Sequence, residues 1–293
     1  MKYQKDARTV EGCLLDAMYK LAIINEEQRK QPYLFYFQRA ARTDRAVSAV
    51  RQVCSMRLNF DEKLPVEGPS ALNTLLPSDI RVMGIRRATR TFHAQKSCDS
   101  RTYSYTLPTY AFAKFDKLTT NSYRIEEQTL AEINELLEIF KGTHNFYNYT
   151  SRREADDKSC FRYIMGFKCD KIRLHKDEFS GQETEFLTIL ITGQSFMLHQ
   201  IRKMIGMVIS ITRGFLYKSD VQRSFDAVRM DIPRAPGLGL LLEKLHYANY
   251  DRKFKNTHET LDDWGEEIEA KVTKMREEII LQEIFREESR TQS

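Results

Sequence analysis

The sequence predicts an α+β protein of two subdomains with a C-terminal helical extension, and three observations lead there. Residues 1–112 and 113–250 each mix strand-like with helix-like runs. Residues 251–293 are charged, helix-prone and acidic, unlike either stretch before them. Of the 293 residues 41% are apolar and 30% charged, which excludes collagen-like and wholly disordered chains. No apolar run approaches the roughly 20 residues of a membrane span. The start, Met1 to Asp6, has neither a signal-peptide apolar region nor an Arg/Ser-rich transit pattern.

In order along the chain, Thr9 caps a helix on which Val10, Cys13, Leu14, Ala17, Met18 and Leu21 form one apolar face. Leu34 to Phe37 reads as a strand, and Val53 to Leu58 as another. The charged run at 39–45 between them lacks helical period and reads as a loop. Ile80 to Arg86 partly alternates as a half-buried strand, and Arg101 to Leu107 alternates cleanly up to Pro108. Leu130, Ile133, Leu136, Leu137 and Phe140 mark a helix stopped by Gly142.

Tyr163 to Cys169 and Glu185 to Ile191 read as strands. A long apolar helix is expected from about Phe196 to Thr212, ending at Gly214. Ser219 then caps a short helix, and Leu238 to Tyr247 is the last strand. In the helical run of 262–290, Trp264, Ile268, Met275, Ile279, Ile280 and Ile284 are available for docking.

The net charge of +5 conceals an asymmetry. Residues 258–293 hold 11 acids and 5 bases, which leaves residues 1–257 at +11. A basic body with an acidic tail fits a polyanion partner, although a solvated charged surface reads the same way. The five cysteines form no C-x-x-C pair, which argues for a reducing intracellular compartment and against disulfides or structural zinc. The six histidines form no metal-binding spacing, and no phosphate-binding glycine loop is present.

Three segments stand out chemically. In Arg39-Ala-Ala-Arg42-Thr43-Asp44-Arg45, three guanidiniums surround one carboxylate and favour its ionised form. Arg42 and Arg45 have the fork geometry for phosphate, though incidental surface ion pairs give the same pattern. In the second, Tyr103 and Tyr105 share one strand face beside Arg101, as a base-stacking platform or a core tyrosine pair. The third runs from Gly193 to Lys203, where His199 and Arg202 share one helical face. Ser195, His199 and Asp44 do not make a hydrolase triad, because no G-x-S-x-G elbow is present. Basic residues interleave with aromatics at Arg86, Arg87, Arg90 and Phe92, and again from His144 to Arg152 and Arg153. That composition suits a gripped, distorted RNA.

The order of motifs is more specific than any one of them. Arg-Thr-Asp at 42–44 is followed by Arg-x-Tyr-x-Tyr at 101–105 and Gly-Thr-His-Asn-Phe at 142–146. Gly-Gln-Ser-Phe-Met-Leu-His-Gln-Ile-Arg-Lys at 193–203 and Ala-Pro-Gly-Leu-Gly-Leu at 235–240 complete the series. Over nearly the whole chain from about Asp6, this resembles the TruA-type tRNA pseudouridine synthases, and their eukaryotic pseudouridine synthase 1 branch in particular. The resemblance implies the pseudouridine synthase fold: two related α/β subdomains sharing a largely antiparallel sheet around a basic cleft. It also implies isomerisation of uridine to pseudouridine in tRNA, with other structured RNA as a further candidate and no metal or organic cofactor. Asp44 matches the family's nucleophile, Arg42 its partner, Tyr103 the residue that stacks on the base, and Arg202 the one that orients the aspartate.

By the same resemblance Leu240 walls the base, while the basic and aromatic segments make Arg39, Arg45, Arg86, Arg87, Arg101, Arg152, Arg153 and His199 the candidate RNA contacts. It further implies a monomer in nucleus or mitochondrion, without a membrane partner. Two departures follow from the pattern. The chain begins at or just after the family's first strand, so that strand is expected to be missing. Ala46 and Arg51 stand where members commonly carry glycine, and a positive φ at either would strain the loop of Asp44. An active synthase and an impaired relative that binds tRNA without modifying it are the two functional expectations.

Overall fold

A computed structural model describes residues 8–291, apart from Arg45, Phe60, Leu118, Thr119, Phe179 and Ser180. It divides into two compact units built from discontinuous segments. The first unit contains residues 1–44, 49–99 and 244–277, and the second contains 45–48, 100–243 and 278–293. The chain therefore crosses between units more often than a split into successive stretches implies. Residues 100–112 lie in the second unit, and 251–277 lie in the first.

The first unit opens with α1 (Val10–Lys20), whose N-cap Thr9 accepts from the Gly12 amide at 3.0 Å. Asn25 and Gln28 form a reciprocal capping box on α2 (Glu26–Lys30). The expected strand at Leu34–Phe37 is instead a 3₁₀ turn, Pro32–Phe35, because Pro32 presets its first residue and Tyr36 closes it with φ +56°. Of the next expected strand only Cys54–Ser55 (β3) is paired, antiparallel to Gln38–Arg39 (β1). The short β2, Ser48–Ala49, lies between them in the chain.

Helix α3 (Leu64–Leu75) is absent from the sequence reading, since Pro65, Gly68 and Pro69 all argue against a helix there. Pro65 is harmless in the first turn. The Cβ that Gly68 lacks would stand 2.9 Å from Leu64 Cδ1 and 3.0 Å from Ile85 Cδ1. Ile80–Arg86 pairs with no strand. Both backbone groups of Val82 are taken by Asn73 of α3, whose amide donates to Val82 O at 2.9 Å and accepts from Val82 N at 2.8 Å. Leu15, Met18, Ile24, Phe35, Phe37 and Leu72 form the core of this unit.

The second unit is organised by β4 (Ser100–Pro108), α4 (Glu127–Ile139), β5 (Gly142–Asn145), β6 (Phe161–Lys176) and β7 (Glu183–Gly193). Helices α5 (Gln200–Thr212) and α6 (Lys218–Arg223) and the strand β8 (Leu240–His246) follow. The six-stranded sheet has the order β2-β8-β4-β7-β6-β5. Of β2 and β8, Ser48 and Leu240–Glu243 belong to this unit. Strand β7 pairs antiparallel with both β4 and β6, with Tyr103 and Phe167 each opposite Ile191.

Helix α5 starts later than its apolar run suggests. Residues Phe196 to His199 form an irregular approach, and His199 holds a left-handed φ of +65°. Eleven of its 13 residues are buried, as expected of a helix that is apolar on nearly every side. Ser219 does not cap α6: Tyr217 occupies that position, and its amide donates to Asp220 Oδ2 at 2.8 Å.

The returning chain adds α7 (Ala248–Phe254) and α8 (Glu266–Met275) to the first unit. A one-turn π-helix, Arg276–Ile280, leads into α9 (Leu281–Thr291). Leu281, Ile284 and Phe285 of α9 pack on Phe186 of the second unit's sheet. Among the described residues no helix is long and apolar enough to cross a membrane.

Two backbone constraints yield measurable predictions. A Cβ on Gly206 would lie 2.0 Å from Pro233 O. Gly206→Ala should therefore lose roughly 3 kcal/mol by urea unfolding, against a gain of about 1 kcal/mol in an unobstructed helix. An unchanged or raised midpoint would contradict the close approach. Ala46 adopts φ +64°, whereas Arg51 is not among the positive-φ residues. Ala46→Gly should add about 0.5–1 kcal/mol, the left-handed strain removed less the extra entropy of glycine, and the same unfolding curve measures it.

Candidate active site

Three of the five ordered motifs meet in the second unit. Tyr103 of β4 is 8% exposed and sits edge-on to Phe196, with ring centroids 5.3 Å apart at 85°. Tyr105, on the same strand face, donates from its hydroxyl to Pro236 O at 2.8 Å. Burial raises the Tyr105 phenol above its ordinary range, the Glu288 charge adds to this, and Arg202 opposes it. Arg202 Nε donates to Ala235 O at 2.7 Å, and Ala235 N donates back to Arg202 O at 3.1 Å. Thr106 N donates to Gly239 O at 2.9 Å, so buried Leu240 begins β8 from a fixed point on β4. On the opposite strand face, Ser104 Oγ donates to Glu243 Oε1 at 2.6 Å.

The Gly-Thr-His-Asn-Phe motif lies in the structural support behind that site. His144 stacks on Phe225 at 4.2 Å and 12°, and Phe146 is fully buried. Just beyond the motif, buried Asn148 donates to Ser224 O, Asp226 O and Val228 O at 3.0, 3.3 and 3.0 Å. It also accepts from Met230 N at 2.8 Å. Nothing in its polar sequence context marked Asn148 as the centre of a loop. Thr150 Oγ1 donates to Leu198 O at 3.0 Å, holding the approach to α5. His199 is half-buried at that approach, with Arg234 Nη1 3.2 Å from its Nδ1 and 3.1 Å from its Nε2.

In the first unit, Arg42, Thr43 and Asp44 follow β1 without regular structure, and Arg42 and Asp44 are exposed. Gln52 anchors the start of this loop: its amide accepts from Ala41 N at 3.1 Å and donates to Ala41 O at 2.9 Å. Arg45 lies outside the described residues. Arg51 forms an ion pair with Glu269 of α8, with Nη1 donating to Oε1 at 2.9 Å.

The remaining arginines fall into two groups, those with internal partners and those exposed. Arg39 faces buried Glu11, with Nη2 2.8 Å from Oε1 and Nε 2.8 Å from Oε2. Arg86 lies 4.5 Å above the Trp264 ring and donates to Asp263 O at 2.5 Å and also to Thr260 O. Both guanidiniums are thus held by partners inside the first unit. Arg87 is exposed. Arg101 Nη1 donates to Gln194 O at 2.6 Å, which ties β4 to the segment before α5. Arg153 pairs with Asp157 at 2.9 Å, and Arg152 is exposed with φ +59°. Among the described residues no cluster of three His, Cys, Asp or Glu side chains is placed to hold a metal ion.

Comparison with known proteins gives the following similarities. Residues 136–248 match a family model described as tRNA pseudouridine synthase. The human Pseudouridylate synthase 1 homolog is 41% identical over 276 residues, covering 93% of this chain and 62% of the human protein. The mouse protein of the same name matches equally, at 41% over 93% of this chain and 62% of its own length. A Saccharomyces cerevisiae protein named tRNA pseudouridine(27/28) synthase is 27% identical over 87% of this chain and 82% of its own. The chain thus spans about 62% of the length of its human and mouse relatives. With its five motifs in order and three of them joined around Tyr103, Arg202 and Leu240, the chain is similar over most of its length to the pseudouridine synthase 1 homologs, and its residues 136–248 match the tRNA pseudouridine synthase family model.

Proposed function

We propose that this chain isomerises uridine to pseudouridine in tRNA. The observation that carries the reading is the joining of the Tyr103, Arg202 and Leu240 motifs within one unit. The reaction exchanges one bond of the base for another. C1′–N1 breaks, the uracil turns, C5 joins C1′, and the C5 proton is lost while N1 gains one.

In this reading Asp44 is the nucleophile, Arg42 its partner, and Arg202 orients it. A guanidinium near a carboxylate favours the anion that attack requires. The target uridine must leave its stack at a cost of a few kcal/mol, and a ring such as Tyr103 offsets part of that. Tyr103 suits the task because the sheet and Phe196 fix its plane. Leu240 supplies an apolar wall. Arg39, Arg45, Arg86, Arg87, Arg101, Arg152, Arg153 and His199 are the candidate RNA contacts.

Purified chain incubated with unmodified tRNA should yield pseudouridine, read at nucleotide resolution. Asp44→Ala should lower the rate by at least about a thousandfold while leaving tRNA affinity within a few-fold. Product from the mutant at the original rate would remove Asp44 from the mechanism. No product from the original chain, with tRNA still bound, would support a binding-only relative. Arg152→Glu combined with Arg153→Glu should weaken tRNA binding by about tenfold or more at low salt, and unchanged affinity would exclude that loop from the RNA surface.

A further inference from the structure

The second unit carries a cationic cluster whose two arginines lie outside all five motifs. Its scaffold is the loop of residues 224–230 wound around the Asn148 side chain. On that loop the Arg229 guanidinium lies 5.1 Å from the centre of the Tyr147 ring. A few residues on, Arg234 Nη1 stands within 3.2 Å of both ring nitrogens of His199. Lys203, 9% exposed, donates from Nζ to Asn148 O at 3.0 Å. Its ammonium is pressed below its ordinary range first by burial, then by Arg229 and by Arg234, with Asp231 opposing. Arg229 and Arg234 are therefore each close enough to act on Lys203, with Asp231 opposing them there.

Such crowding is costly unless an anion offsets it. The form of the two arginines indicates which anion. Each guanidinium lies against a ring, which fixes its position and leaves N–H groups free for an oxygen ligand. Arg229 makes no hydrogen bond or ion pair to any described residue, and both arginines are exposed. Two positioned forks backed by a buried ammonium match the oxygens of a phosphodiester. The adjacent residue of the same helix, Arg202, is bonded to Ala235, next to Arg234 in the chain.

We propose that Arg229 and Arg234, backed by Tyr147 and His199, grip a backbone phosphodiester of the RNA substrate. The identity of the ligand rests on the tRNA reading above. In this arrangement Lys203 supplies charge and holds the loop through Asn148, while the two arginines make the contacts.

The test measures affinity for unmodified tRNA by fluorescence anisotropy between 50 and 300 mM salt (on the order of the range where phosphate contacts dominate), for the full chain and its variants. Arg229→Ala and Arg234→Ala should each reduce the slope of log affinity against log salt by about 0.7–0.9, and weaken binding about fivefold near 0.1 M salt. Arg229→Lys and Arg234→Lys should keep most of the slope but lose part of the affinity, since an ammonium keeps the charge without the fork. Lys176→Ala, on an exposed position at the end of β6, serves as control and should change neither. Variants that melt like the parent yet keep its affinity and slope would overturn the proposal, as would weaker binding with an unchanged slope. Pseudouridine formation by the parent chain is assayed alongside. Product from the parent with unaltered slopes in the variants sinks the phosphate site alone. Arginine-dependent binding without product sinks the isomerase reading alone, and a parent chain that binds no RNA sinks both.

Discussion

Two carbonyl oxygens occupy space that side chains would otherwise need, and the candidate site depends on them. Pro233 O approaches Gly206 so closely that a Cβ there would lie 2.0 Å away, and Thr106 O approaches Gly239 to a corresponding 2.2 Å. These contacts lay residues 233–240 on α5 at one end and on β4 at the other. Only then can Ala235 O meet the Arg202 guanidinium and Pro236 O meet the Tyr105 hydroxyl. A methyl group at either glycine would lift the segment and misplace both polar contacts together. Close backbone approach, more than any single hydrogen bond, therefore sets the positions of Arg202, Tyr105 and Leu240.

The same distinction between place and composition applies to the charges. A net +11 on residues 1–257 says how many cations are present but not which are occupied. Arg39 is bound to Glu11, Arg51 to Glu269, and Arg86 to the Trp264 ring and two carbonyls. These three consolidate the first unit. Arg42 and Arg152 make no hydrogen bond or ion pair with a described residue, and Arg229 has only its ring. An exposed guanidinium without an internal partner suits a polyanion, because little internal bonding must be broken to bind one. Some of the basic charge is thus bound within the protein.

Local patterns were legible where they were strong. Thr9 before an apolar stripe, alternation ending at Pro108, and the stripe on α4 all correspond to elements close to the expected positions. Failures occurred where a tertiary contact overrode a local rule. Leu34–Phe37 has strand composition, yet Pro32 and the core contacts of Phe35 and Phe37 bend it into a turn. Ile80–Arg86 forms no strand, and Val82 within it bonds to the Asn73 side chain, which no alternation pattern reveals. Helix α3 tolerates Pro65, Gly68 and Pro69 because its inner face packs against the first unit's core. The candidate site residues follow from the ordered motifs, whereas Asn148, Arg229 and Arg234 needed the loop geometry. Their residue types are ordinary in a polar surface segment.

Backbone strain adds the last discrimination. Five non-glycine residues among those described take positive φ: Ala22, Tyr36, Ala46, Arg152 and His199. Ala22 and Tyr36 follow the ends of helical turns, where a left-handed residue closes the last carbonyl bonds. The other three lack that explanation. His199 precedes a helix, a position where extended backbone is the norm, yet it holds φ +65°. Ala46 follows Asp44 by two residues, and Arg152 is one of the uncommitted cations. Each left-handed residue costs on the order of 1–2 kcal/mol, which surrounding structure must offset. For His199 the offsetting contacts are visible: Thr150 holds Leu198 O, and Gln200 accepts from Met197 N at 2.9 Å. The strained turn presents the imidazole to Arg234, and an unstrained helix start would point it elsewhere. Strain without a capping role therefore falls on the segments that carry Asp44, Arg152 and the Arg234 contact, the residues to which the proposed function gives chemistry and RNA binding.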